Sequence, residues 1–211
     1  MNQQPDTTHR REKERGGKDF GLACEILDAA RLCHVGFALE GHPYVIPMAC
    51  ARQGARLLLH GSVASRLVGS LAGGLDCCVT VTHLDGIVLA RSAFHSSMNY
   101  RSVMVFGKAL PVDGEQDKQA GLDLLVEHLI PGRLGELRVS TRKELNATRL
   151  LALPIEVFTT KVRSGPPSDP ETDLDLPLWA GEVPLRQAAG APQAAPDLRF
   201  DFPPPDYLSR I

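Results

Sequence analysis

The chain has 211 residues, 43% hydrophobic and 23% charged, with five cysteines and a formal net charge of -2. At roughly 150 residues per domain this is one domain with extra terminal segments, and the near-neutral balance excludes a strongly basic nucleic-acid binder. No apolar run reaches the ~18 residues of a membrane helix, no export signal opens the chain, and an odd cysteine count is not a disulfide framework, so a cytoplasmic protein away from membranes is expected.

Residues 1–18 read as a flexible polar segment. Ala23, Ile26, Leu27 and Ala30 then recur at helical spacing and predict a short amphipathic helix. Residues 33–39 and 44–51 are two strands joined by the turn Glu40-Gly41-His42-Pro43. A third strand over 56–60 leads through Gly61-Ser62 into a helix stopped by Gly73-Gly74. Residues 76–84 and 87–94 read as a hairpin turning at Asp85-Gly86, with 95–99 as a polar crossing into a strand over 100–112. Leu122, Leu125, Val126 and Leu129 mark a helix over 116–130, ended by Pro131-Gly132. Thr141 and Glu144 are spaced as a capping box opening a helix over 141–150. One long strand over 151–162 follows, with Pro154 near its start.

Hairpin-linked strands with few helices predict a mainly β fold with flanking helices, an antiparallel barrel of about six strands, which periodicity alone does not separate from a sandwich. Residues 19–163 form this body. Residues 164–211 hold 10 of the 16 prolines and set three Lys/Arg against eight Asp/Glu. That composition builds no second core and reads as an acidic arm lying over the body, with Trp179 as the anchor packing it down.

Three stretches carry candidate chemistry. In His60-Gly61-Ser62-Val63-Ala64-Ser65-Arg66, hydroxyls and a guanidinium collect where a strand passes into a helix, a suitable anion site. The alternative is a Ser62 helix cap beside a solvated Arg66. Residues 91–102 bring donors and acceptors around His95, Ser96, Asn99, Tyr100 and Ser102, able to meet a phosphate or a heteroaromatic edge, or to form only a self-satisfied polar loop. Pro47, within Tyr44-Val45-Ile46-Pro47-Met48, marks an edge strand with free backbone groups that suit a flat ring. Metal chemistry lacks support: Cys77 and Cys78 are adjacent rather than spaced as CxxC, and His60, His83 and His95 are scattered.

The order of CHVGFALEGHPYVIPMACA, LLLHGSVASRL, LDGIVLARSAFHSSMNYRSVMVFGKA, KVRSGPPSDP and LPLWAGEVPL resembles the pyridoxamine 5'-phosphate oxidase-related superfamily, in its flavin-nucleotide-binding, nitroimidazole-resistance-like branch. The resemblance implies a split β-barrel that forms a homodimer and holds one FMN per subunit at the interface. It implies that Val45, Ile46, Pro47 and Met48 lie along the isoalloxazine ring, and His60, Gly61 and Ser62 at its ribityl side. Ser65 and Arg66 would hold the phosphate, where the oxidases carry Arg-Lys. Asn99, Tyr100 and Ser102 would face the cofactor, approached by Lys161, Arg163 and Trp179. The basic substrate-binding end of the oxidases is replaced here by RFDFPPPDYLSRI.

A flavin brings its own redox chemistry, which accounts for the missing catalytic triad. One expectation is therefore an oxidoreductase reducing a small-molecule substrate with a nicotinamide donor, with Arg163, His95 and Tyr100 on the substrate side. The other is a non-catalytic storage or sensing module for FMN, FAD or haem, with His60 or His95 as axial ligand.

Overall fold

The computed structural model describes residues 5–8 and 15–210. The remaining part of the expected flexible segment lies outside the described residues. Within that segment Gly16–Gly17 forms a short strand, β1. Helix α1 (Phe20–Asp28) starts because the Asp19 carboxylate accepts the N–H groups of Gly21 and Leu22. It buries Ala23, Ile26 and Leu27, the stripe its spacing implied.

Strands β2 (Leu32–Leu39) and β3 (His42–Gln53) form a hairpin. Its two-residue turn puts Glu40 at φ 52° and Gly41 at φ 79°, the backbone that matches the twist of the flanking strands. Strand β4 (Arg56–Ser62) follows, then helix α2 (Arg66–Ala72).

The expected hairpin at Asp85-Gly86 is not a turn. Residues on both sides belong to one strand, β5 (Asp76–Leu89), with a register shift between Leu84 and Gly86. Asp-Gly serves here as a bulge. A Cβ on Gly86 would stand 3.1 Å from the Val183 carbonyl oxygen, so glycine lets another strand close in. The real hairpin turn lies in residues 90–96, and β6 (Ser97–Lys108) returns along β5.

Strand β7 (Leu110–Pro111), helix α3 (Glu115–Leu129) and helix α4 (Arg142–Ala147) come next. The Thr141–Glu144 capping box is present. The single strand expected over 151–162 is two strands, β8 (Thr148–Pro154) and β9 (Val157–Arg163). Pro154 ends the first, and the Ile155 N–H bonds to the Ala55 carbonyl as the chain changes sheets.

With β10 (Gly181–Pro184), which pairs with β5, the described residues form ten antiparallel strands rather than about six, in the order β1-β9-β6-β5-β2-β3-β4-β8-β7. The class is mainly β with flanking helices, a split barrel. Its interior is one large cluster that includes Val35, Leu57, Leu59, Leu71, Val79 and Leu151. A smaller cluster of Leu58, Leu125 and Leu150 lies under α3.

The acidic arm is largely irregular, held by β10 and by Asp169. The Asp169 side chain is 1% exposed and accepts from the backbone N–H and the guanidinium of Arg91. Trp179 does not pack the arm down onto the body as expected. The residue is 68% exposed and its indole lies over Gly181, where a Cβ would come within 2.9 Å of the ring. No helix among the described residues is long and apolar enough to cross a membrane.

At the bulge, Arg101 donates two hydrogen bonds to the Asp85 carboxylate, at 2.9 and 2.8 Å. That pairing holds the carboxyl below its ordinary value. A lowered folded-state value means stability that is present above the ordinary carboxylate range and lost as pH falls through the lowered one. Asp85→Asn should therefore cost stability at neutral pH and lose less on acidification than the parent. Urea midpoints across an acid pH series check this.

Candidate functional site

The sheet opens where β3 and β4 separate. These strands pair only from Cys50 to Gln53 against Leu59 to Arg56. Beyond that point Tyr44 to Met48 pair only with β2, and Gly61 and Ser62 only with β8. Two strand edges thus diverge with unshared backbone groups, which is the free edge that Pro47 implied. Val45 is 67% exposed and Pro47 is exposed, while Ile46 and Met48 are half-buried and pack on the core.

Helix α2 stands at the mouth of this opening. Its cap is Ser65 rather than Ser62: the Ser65 hydroxyl accepts from the Val68 N–H at 3.4 Å. Ser62 instead accepts from the Ala64 N–H at 3.2 Å. Both hydroxyls keep their protons free to donate. The shift places Arg66 first in the helix. Its Cζ lies 5.4 Å from the centroid of the Tyr44 ring, and the far side chain of that pair, Phe37, stacks on Tyr44 at 5.2 Å between centroids. No carboxylate among the described residues pairs with Arg66. An exposed guanidinium held by an aromatic ring, with no acid beside it, is a cation available to a ligand anion.

Gly61 sets the height of α2. A Cβ there would lie 2.7 Å from Val68 Cγ2, so Gly61→Ala should push the helix off β4 and cost about 1–3 kcal/mol. Thermal melts should show the loss, and ligand affinity at the opening should fall whether or not the ligand carries phosphate. Beside it, His60 has a buried Nδ1 with no hydrogen-bond partner among the described residues. Burial holds its imidazole below the ordinary value, and hence neutral at neutral pH.

The 91–102 stretch does not act as one surface. Side chains alternate along β6: Asn99 shares the inward face with Val103, whereas Tyr100 and Ser102 project to the other side. Asn99, 7% exposed, donates to Glu182 at 2.5 Å and to the Gly165 carbonyl, and accepts from Arg163. With Asp85 and Arg101 these residues border a cavity of about 330 Å³. Asn99 and Arg163 are thereby brought together, but in a network tying the arm to β6, separate from the opening at Arg66. Tyr100 lies across from Arg163, and Ser102 donates to the Lys161 carbonyl. His95 is on the 90–96 turn, with its ring edge-on to Phe94.

A second concavity, about 710 Å³, lies on the sheet's outer face and is walled by Gly36, Ala38, Pro43, Val45, Phe106 and Gly107, among others. Three residues of interest escaped the sequence reading. Tyr44 was noted only as part of the edge strand, His34 stands two positions from Gly36 and so on the same face of β2, and Arg149 lies across from Gly61. Adjacency to Arg66's motif could not reveal Tyr44's contact, and strand register decides the other two. No cluster of His, Cys, Asp or Glu among the described residues is placed to hold a metal ion directly.

A family model described as pyridoxamine 5'-phosphate oxidase matches residues 22–162. The FAD and haem binding protein from Mycobacterium smegmatis is 39% identical, with 93% of this chain and 96% of that chain covered and a TM-score of 0.88. The flavocytochrome Anf3 from Azotobacter vinelandii is 40% identical over 98% of this chain and 96% of its own, with a TM-score of 0.90. A candidate 5-nitroimidazole antibiotic resistance protein from Bacteroides thetaiotaomicron shares the fold at 24% identity, 70% and 86% coverage and a TM-score of 0.59. Among curated proteins no relative matches. The family match spans the strands that build the opening, and the split-barrel order of those strands agrees with it: the chain belongs to the pyridoxamine 5'-phosphate oxidase family.

Proposed function

We propose that this chain is a redox flavoprotein that holds its flavin as FAD and carries a haem as well. One observation supports this most. The two relatives at 39% and 40% identity, one an FAD and haem binder and the other a flavocytochrome, match 93% and 98% of the chain. The family model alone stops at residue 162, before the acidic arm. The resemblance by itself implied FMN; the cargo of the M. smegmatis protein favours the dinucleotide.

The opening between β3 and β4 fits a flavin. The free edge over 45–48 offers backbone donors and acceptors to a flat ring, and Arg66 offers the phosphate a cation with no competing acid among the described residues. Ser62 and Ser65 add hydroxyl donors. A bound flavin supplies the hydride and one-electron chemistry, while the protein holds it, orients it and limits water.

The outer concavity fits the apolar plane of a haem. None of His34, His60 and His95 is among the residues that wall it, and of the three only His34 lies on a strand that does. His34, on the same face of β2 as Gly36, is the side chain this reading assigns as axial ligand. His34→Ala should remove the haem band from the absorbance spectrum and leave the flavin band. An unchanged haem band would move the ligand elsewhere.

A second copy of the chain is proposed over this outer face, where Leu32, Val45, Leu84 and Met104 are exposed. Sedimentation at micromolar concentration should give a dimer, and a monomer that still holds flavin would refute that part. The spectrum of the protein as purified tests the whole reading. Flavin and haem bands together support it, and a colourless protein that takes up neither cofactor overturns it. Anaerobic bleaching of the flavin band by NADPH would extend the reading to a nicotinamide-driven reductase of a small molecule.

A further inference from the structure

Resting on the FAD reading, we propose that Arg149 is the second cation of the phosphate site, and that Arg66 and Arg149 together favour a diphosphate-bearing flavin over a monophosphate. The motif containing Ser65 and Arg66 carries a single positive charge. The fold returns a second from a distant part of the sequence.

The β4–β8 register sets Arg149 directly across from Gly61 and Thr148 across from Ser62. Residues so paired share a face, with Cβ positions about 5 Å apart. The Val63 N–H bonds to the Ala147 carbonyl at 3.0 Å, which fastens the loop over 62–65 against the start of β8. Helix α2 rests on Gly61 through Val68. Arg66, two residues before Val68, and Arg149, across from Gly61, therefore border the same short loop. The Ser65 hydroxyl lies along it, while Ser62 and Thr148, one register on, face the other side of the strands, with the Thr148 hydroxyl donated to the Glu144 carbonyl.

Arg52, Arg91, Arg101, Arg133 and Arg138 each hold a carboxylate, on Asp28, Asp169, Asp85, Glu136 and Glu144. Several exposed arginines lack a carboxylate, and half-buried Arg163 is held instead by Asn99 and the Gly165 and Pro166 carbonyls. Arg149 is half-buried with neither kind of partner among the described residues. The one acid of α4, Glu144, is already engaged by Thr141 and Arg138. A half-buried guanidinium with no counter-ion gains from charge-assisted hydrogen bonds to an anion that reaches it. A ligand phosphate at this loop would supply the missing charge. One phosphate can be met by Arg66; a second, linked to it, reaches a cation on the neighbouring strand.

The test is titration of cofactor-stripped protein with FAD, FMN and riboflavin, for the parent and for Arg149→Gln, Arg149→Lys and Arg66→Ala. Arg149→Gln should weaken FAD about tenfold to a hundredfold, FMN less, and riboflavin hardly at all. Arg149→Lys should recover part of the FAD affinity. The riboflavin arm separates lost charge from lost folding, because a misfolded variant weakens all three ligands. If that happens with Arg149→Gln, the Lys variant decides: it should favour FAD less than the parent does. Parent-like FAD affinity in Arg149→Gln, with a loss in Arg66→Ala, overturns the second cation and leaves the FAD reading standing. A parent protein that binds no flavin overturns the reading itself.

Discussion

Arg66→Ala should weaken binding of FAD and FMN by about tenfold to a hundredfold while leaving riboflavin affinity nearly unchanged. The guanidinium lies at the mouth of the β3–β4 opening, steadied over Tyr44 and with no acidic partner among the described residues. Charge-assisted hydrogen bonds to phosphate oxygens contribute about 1.5–3 kcal/mol each, and about 1.4 kcal/mol is a factor of ten. Riboflavin has no phosphate to lose. Because Arg66 also rests on Tyr44, its removal exposes that ring, a small effect shared by all three ligands. Equal weakening of all three would mean that Arg66 supports the ring pocket rather than the phosphate. Fluorescence titrations measure the split.

The second large effect is on stability. Leu59 is fully buried in the main cluster and lies between Cys50 on β3 and Leu151 on β8. It is the last residue of β4 before the strands part. Leu59→Ala removes transfer energy and leaves a cavity that closely packed neighbours fill poorly, costing about 2–5 kcal/mol. Domains of this size have about 5–15 kcal/mol in total. A urea denaturation series should show the midpoint fall with an unchanged slope. A loss below about 1 kcal/mol would mean that the barrel relaxes into the space. Flavin affinity should fall in step, because Leu59 immediately precedes His60 and Gly61 in the strand that bears α2.

Local signals in the sequence translated well into structure, and non-local ones did not. The Ala23–Ile26–Leu27 stripe, the Glu40-Gly41 turn and the Thr141–Glu144 box each act within a few residues, and each is present. Asp85-Gly86 misled because the dipeptide suits a bulge as well as a turn. Only the approach of β10, from a hundred residues away in the chain, shows which was needed. Ser62 and Ser65 both precede the apolar run of α2, and composition does not say which one caps it. Asn99, Tyr100 and Ser102 form a single motif in the sequence, yet the pleat sends them to opposite faces. His34 and Arg149 were invisible for a plainer reason. Their places depend on which strands pair and in what register, and the partners that decide it, β5 for His34 and β4 for Arg149, lie tens of residues away in the chain.

A crystal structure of the protein with FAD bound tests the central claim most directly. The isoalloxazine ring should lie along the free edge of β3 over residues 45–48, with its phosphates against Arg66. Flavin bound elsewhere, for example in the cavity bordered by Asn99, Arg101 and Arg163, would contradict the account.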